Sequence, residues 1–472
     1  MSDGTGAALA TMWAALGGAA TAPAALTIAG AGELPSVFAV SDLAGASVGA
    51  ACLAVAELLG TRHGTTPAAV VDRRLAGLWF ATSIRPQGWQ TPPTWDAVAG
   101  DYRTADGWIR LHTNAPHHRQ AALAVLEAPA ERAAVARAVA GWAADALEDA
   151  VVAQGGCAAA MRDMAAWARH PQGRAVSREP LVIREAGGSG PPPGWAVPPG
   201  RPLRGVRVLD MTRVLAGPVA TRFLAGFGAE VLRIDPPDWD EPAIVPDVTP
   251  GKLCARLDLR RPKDRARWEA LLRGADILVH GYRPGALDGL GLGAARRGEL
   301  NPGLIDISLD AYGWSGPWQR RRGFDSLVQM SSGIAAAGMA PLERDRLERD
   351  RLERDRLGSD RPTPLPVQAL DHATGYLLAA AAVRGLTGRL TTGAGGAARL
   401  SLARIAALLV GLPAAPAAPC AAETPADLAD GIEATPWGPA RRLRPPCGVA
   451  GAVLHWERPA AALGSDQAAW LG

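Results

Sequence analysis

Val206-Arg-Val-Leu-Asp-Met211 opens the stretch that decides the fold; Thr212-Arg-Val-Leu-Ala-Gly-Pro218, Gly226-Phe-Gly228 and Glu230-Val-Leu-Arg-Ile-Asp235 complete it. The first and last segments are short apolar runs with the composition of buried strands. Pro218 suits a first helical turn, where its missing N–H costs nothing, and the Gly226/Gly228 pair stops the helix. Strand, helix and strand within about thirty residues imply parallel pairing through a right-handed crossover. The fold class expected is therefore α/β, a Rossmann-like doubly wound parallel sheet.

Further ordered segments extend this reading. They include Lys252 with Leu257-Asp-Leu259, Ala275-Asp-Ile-Leu-Val279, Tyr282-Arg-Pro-Gly285, Leu300-Asn-Pro302, Gly323-Phe-Asp325 and Ser332-Gly333. In this order and spelling the chain resembles the family III CoA-transferases, which include formyl-CoA transferase, carnitine CoA-transferase and alpha-methylacyl-CoA racemase. The resemblance implies a Rossmann-like half, an Asp-headed helix, a smaller α+β domain and a return segment.

Bulk properties set the background. The chain has 472 residues, 48% of them hydrophobic and 20% charged, with a net charge of +3. That charge is too small to argue for nucleic acid or an anionic membrane. Nearly all the basic residues are Arg, with Lys only at 252 and 263. Five scattered cysteines suggest reduced thiols in a cytoplasmic protein, and the acidic, Arg-free N-terminus does not read as a signal peptide. No uninterrupted apolar run approaches the roughly 18 residues of a membrane span.

Two segments repeat one another. Asp42-Leu-Ala-Gly-Ala and Asp371-His-Ala-Thr-Gly each head an Ala-rich apolar run that ends in glycine, at Gly64 and Gly393. Asp42/Asp371, Ala44/Ala373 and Gly64/Gly393 share one offset of 329 residues, the mark of a duplication. The expected organisation is an Ala/Gly-rich N-terminal segment (1–34), a partial first-copy Asp-helix segment (35–94) and a small domain (95–185). A Pro/Gly linker (186–202) without regular structure precedes the Rossmann-like half (203–340). A low-complexity insertion (341–363), the Asp371 helix segment (364–412) and a C-terminal return segment (413–472) follow. Within the insertion, three repeats of Leu-Glu-Arg-Asp-Arg over 342–356 fit neither helical nor strand periodicity and read as a solvated segment. Residues 95–185 are expected to serve the core built by 200–410, within one chain or across a dimer. The oligomeric expectation is accordingly a homodimer or an intrachain pseudo-dimer.

Asp371 is the candidate catalytic residue. An Asp at a helix start is by default an N-cap. The resemblance implies more: a nucleophile that attacks the acyl-CoA thioester, releases CoA thiolate and passes through an aspartyl-CoA thioester that an incoming acid resolves. A helix N-terminus is expected to keep its carboxylate ionised and to offer N–H groups to an oxyanion. Asp42, with no strand-and-helix half before it, reads as a surviving N-cap. For CoA, the resemblance implies Val214, Leu215 and Ala216 along the pantetheine and Asp325 near the thioester. Lys252, Arg283 and Arg322 are candidates for the phosphates.

Phe324 stands where the racemase branch carries a His, which argues against that branch's proton exchange; His372 is the alternative base. The stretch Ile84 to Tyr102 holds Pro86-Gln-Gly-Trp-Gln-Thr-Pro-Pro93 where a glycine-rich shielding loop would lie. His112, His117 and His118 match no metal-ligand spacing and read as surface imidazoles of a turn. The function expected is CoA transfer between carboxylic acids, with an acyl-CoA and a carboxylic acid as substrates. No permanently bound cofactor, metal, nucleic acid or membrane is expected. The alternatives are an acyl-CoA racemase or isomerase, and a catalytically inactive relative that binds CoA thioesters.

Overall fold

In the computed structural model of the chain, residues 3–339, 360–413 and 418–471 are described. The Leu-Glu-Arg-Asp-Arg repeat of 342–356 lies outside them. The centre is a seven-stranded sheet. Its strands in chain order are β1 (Ile183–Ser189), β2 (Arg207–Met211), β3 (Glu230–Asp235), β4 (Lys252–Arg256), β5 (Ile277–His280), β6 (Ile305–Asp310) and β7 (Ala394–Ser401). The spatial order is β4-β3-β2-β5-β6-β7-β1, parallel except for β1. The six parallel strands thus run outward from β2 in both directions, as in a doubly wound nucleotide fold. The order reverses between β2 and β5, where His280 pairs with Met211.

One expectation fails here. Gly187, Gly188 and Ser189 of the supposed linker belong to β1, paired antiparallel with β7. Glycine permits the close approach: a Cβ on Gly187 would lie 2.7 Å from the Gly395 carbonyl carbon. An edge strand tolerates such residues because it is paired on one side only.

Two helices of 24 residues, Val40–His63 and Ala369–Thr392, carry the repeat. They pack on each other in one apolar core, which continues to the Ala216–Gly226 helix behind β2. Ala and Gly at the contact let the backbones approach; a Cβ on Gly375 would meet the Ala216 carbonyl oxygen at 2.4 Å. Val40–His63 is long and apolar enough to cross a bilayer by length and composition, yet 89% of that window is buried inside the protein. Its Ala-rich composition serves helix packing.

The smaller unit has the antiparallel strands Gly100–Arg103, Trp108–Leu111 and Ala158–Ala160, with helices Pro116–Leu126, Arg132–Val139 and Ala144–Ala153 on one core. It docks against residues 311–331 of the same chain. Buried Glu148 receives Arg321 Nη2 at 2.7 Å and also binds Arg162, while Gln172 Nε2 donates to the Tyr312 carbonyl at 2.8 Å.

Candidate active site

A cavity of about 380 Å³ opens at the carboxyl ends of β2, β5, β6 and β7. Met211, Gly281, Asp310 and Leu402, each at or just beyond one of those strand ends, line it. Here the strand order reverses, and a parallel sheet leaves a crevice between helices that diverge to opposite faces.

Asp371 reaches this cavity from the first turn of the Ala369–Thr392 helix, with 6% of its surface exposed. Its N–H donates to Asp325 Oδ2 at 3.0 Å, and the Leu370 N–H serves the same carboxylate. Asp325 Oδ1 in turn accepts from Gln329, whose Oε1 accepts the Leu365 N–H at 2.7 Å. Asp325 therefore acts as the cap of the Asp371 helix. It is 1% exposed and does not line the cavity, which corrects its placement at the CoA thioester.

The electrostatics also differ from expectation. Burial, and then the neighbouring Asp325, push the Asp371 carboxyl well above the ordinary range. Burial pushes Asp325 up to about 6, against the opposing pull of its N–H donors. Desolvation disfavours the charged form of each acid more than the helix dipole favours it. The helix start spends the Leu370 and Asp371 N–H groups on Asp325, so the free oxyanion donors read from its position are absent there, and the Asp371 carboxyl is shifted up rather than down.

The remaining candidates divide. Val214 and Ala216 line the cavity, whereas Leu215 is 5% exposed and packs in the core. Val214 has a left-handed backbone (φ 64°), costly for a β-branched residue. Its N–H is held by Glu241, which Arg233 anchors at 2.8 Å.

Lys252 cannot meet a phosphate, because its ammonium is fully buried. It donates to Asp210 Oδ2 at 3.1 Å, Thr221 Oγ1 at 2.6 Å and the Pro218 carbonyl at 3.0 Å. Burial alone would favour neutral Asp210, but Lys252 and Arg233 outweigh it and hold that acid below the usual range. The lone Lys of this region is a structural tie between β4, β2 and the Ala216–Gly226 helix.

Arg283 and Arg322 do line the cavity, and sequence reasoning missed Arg213 beside them. Arg213 lies over Trp239 and Tyr282, at 4.7 and 4.9 Å from their ring centres. None of the three has a carboxylate partner among the described residues. Burial, then Arg322 and Arg320, lower the Arg283 pKa, as expected where cations crowd without an anion. Such a set can bind phosphates in the cavity that Asp371 also lines.

The histidines are the other miss. His118 lines the cavity at 3% exposure, and His112 stacks on Phe324 with centroids 3.7 Å apart. Of the three only His117 is exposed, and it lies with His118 in the first turn of the Pro116–Leu126 helix rather than in a loop. No group of His, Cys, Asp or Glu among the described residues is arranged to hold a metal. His372, the alternative base, points away: it is 1% exposed and stacks on Phe80 at 5.0 Å. Asp310 also lines the cavity, and burial raises its carboxyl well above the usual value.

Residues 203–432 match the family described as CoA-transferase family III. The span of this family III match holds β2 to β7, Asp325 and Asp371. The chain is 36% identical over 151 residues to the succinyl-CoA–D-citramalate CoA-transferase of Chloroflexus aurantiacus, covering 29% of this chain and 38% of that protein. It is 30% identical over 209 residues to a probable fatty acyl-CoA transferase, Rv3272, of Mycobacterium tuberculosis, covering 41% and 49%. A crystal structure of Rv3272 superposes with a TM-score of 0.38 at 30% identity, covering 44% of this chain and 55% of that one. The chain thus spans less than half the length of these two curated relatives.

Proposed function

We propose that this chain moves CoA between carboxylic acids through a covalent intermediate on Asp371. The observation that carries the reading is one switch-point cavity lined both by Asp371 and by Arg213, Arg283 and Arg322, which have no carboxylate partner among the described residues. An acyl-CoA laid along Val214 and Ala216 directs its phosphates to those guanidiniums and its thioester to Asp371. Once Asp371 has lost its proton, a carboxylate oxygen bonds to the thioester carbon and the C–S bond breaks, giving an aspartyl anhydride and CoA thiolate. The thiolate attacks the aspartyl carbonyl, freeing the first acid; the second acid reverses the sequence and leaves with CoA. Asp371 is regenerated and no redox change occurs, so the chemistry calls for no resident cofactor.

The similarity to a succinyl-CoA–D-citramalate CoA-transferase supports chemistry of this class. The packing of the two Asp-headed helices on each other within one chain supports an intrachain pseudo-dimer in which the 95–185 unit serves the 200–410 core. The test is to incubate the full chain with acetyl-CoA and a panel of mono- and dicarboxylic acids, and to separate the thioesters formed. New acyl-CoA species with the parent and none with Asp371→Asn are expected. No new thioester with any acid, or equal turnover by D371N, would overturn the reading.

A further inference from the structure

Attack by Asp371 on a thioester requires something to hold the negative charge that develops on the thioester oxygen. The usual donors are already engaged. The N–H groups of Leu370 and Asp371 serve Asp325. The 84–102 segment, where a shielding loop was sought, is tied elsewhere: Ile84–Pro86 pairs with Gly438–Arg442, and Trp89 stacks on Trp437 at 6.4 Å. No residue of that segment lines the cavity.

His118 has the free donor. It is 97% buried (3% exposed) and lines the same cavity as Asp371. Neither of its ring nitrogens has a hydrogen-bond partner among the described residues. Leaving a buried imidazole unpaired costs about 1–3 kcal/mol, so a persistent one at a cavity wall points to a ligand that completes it. Its ring is fixed by an edge-on contact with Phe324 (5.9 Å) and by His117 (4.1 Å). Phe324 itself is held by the His112 stack.

We propose that the His118 imidazole N–H donates a hydrogen bond to the thioester carbonyl oxygen, making the small unit's contribution to the reaction. As the Asp371 oxygen bonds to the carbonyl carbon, the π pair moves onto that oxygen. Collapse returns the pair and expels CoA thiolate. The imidazole keeps its proton throughout, so no acid or base has to be regenerated. Charge state agrees with this role: burial, with His117 and Arg322 adding, lowers the His118 pKa to about 3. The ring is a neutral donor at every working pH, and a neutral donor does not lock the carboxylate of Asp371 in an ion pair.

This inference rests on the transferase reading for its kinetic arm, and a second arm is independent of it. In the kinetic arm, His118→Phe should slow single-turnover CoA release from acetyl-CoA by about 10²–10³-fold, with the Kd for CoA unchanged. His118→Gln, which retains an N–H, should lose less. Equal release rates for H118F and parent would overturn the proposal. So would α-carbon deuterium exchange that depends on His118, since it would assign the ring to proton abstraction.

In the second arm, acetyl-CoA labelled with ¹³C at the carbonyl is bound to Asp371→Asn, which cannot form the anhydride. A downfield carbonyl shift that disappears in the H118F/D371N double variant is expected; an unmoved resonance overturns the proposal. H118Q/D371N gives the same readout where the Phe variant does not accumulate. A parent that never releases CoA sinks the transferase reading while the carbonyl resonance still decides the role of His118.

Discussion

Asp42 and Asp371 stand at the same place in two copies of one element, and their surroundings assign them opposite tasks. The helices match closely. Each has 24 residues, preceded by N-caps with φ/ψ of −74°/60° and −76°/65° and closed by left-handed glycines at φ 82° and 72°. Beyond each glycine lies a strand and then a helix whose cap side chain, Asp72 or Ser401, accepts an N–H of its first turn. The carboxylates are almost equally buried, at 5% and 6% exposure.

What differs is the partner. Asp42 receives Arg73 Nε at 3.1 Å and the Thr5 hydroxyl, and Arg73 also binds Glu33. Asp371 meets another acid, Asp325, and an open cavity. A buried carboxylate beside a cation is a stabilising part; one beside a second acid is destabilised and reactive. Burial alone therefore does not distinguish the two aspartates, and the second side chain does.

Experiments can break this contrast, the largest effect first. Asp371→Asn should abolish transfer, a loss of more than about 10³-fold for removal of a nucleophile, while Asp42→Asn should keep turnover per folded molecule. In thermal unfolding the ranking should invert: D42N leaves Arg73 short of a partner and should cost about 3 kcal/mol, whereas D371N should stabilise at neutral pH. The sign follows from the raised carboxyl. Its stability contribution is complete below the unfolded pKa near 4 and is lost as pH rises through the higher folded value. The advantage of D371N should thus grow above pH 4 and vanish below it.

Lys252→Met tests a neighbouring tie and should cost about 3–5 kcal/mol in urea unfolding, with CoA affinity of the folded protein intact. Arg322→Ala and Arg283→Ala should behave conversely. Each should weaken CoA binding by about 1.5–3 kcal/mol and flatten its salt dependence, with little change in unfolding midpoint. The finest probe is pH. Single-turnover CoA release should fall on the acid side with a midpoint well above the ordinary carboxyl range, because burial and Asp325 raise the Asp371 carboxyl. Asp325→Asn should move that limb downward by removing a like charge, since Asn can still accept the Asp371 N–H.

The sequence carried the sheet and the position of Asp371 at a helix start well, for a physical reason. Apolar strands bounded by proline and glycine, such as 206–211 and 230–235, are local signals, and β2 and β3 appear within one residue of those bounds. The duplicated Asp helices were legible because spacing survives divergence. Side-chain partners across the fold were not. Lys252 looked available because nothing local announces Asp210 and Thr221, 42 and 31 residues earlier, closing over it. Asp325 looked like a ligand contact because a cap donated from one helix to another leaves no spacing signature. His118 was taken for a surface group because its burial comes from Phe324, some two hundred residues later. The glycines of β1 showed the reverse failure, with a local rule against strands yielding to a partner strand that is itself glycine-rich.

The most direct measurement is to trap the intermediate. The full chain is mixed with acetyl-CoA and hydroxylamine, digested, and its peptides are mapped by mass. A hydroxamate at Asp371 with unmodified Asp42 is the expected result. A hydroxamate at Asp42, or none on the protein while transfer proceeds, would contradict the account.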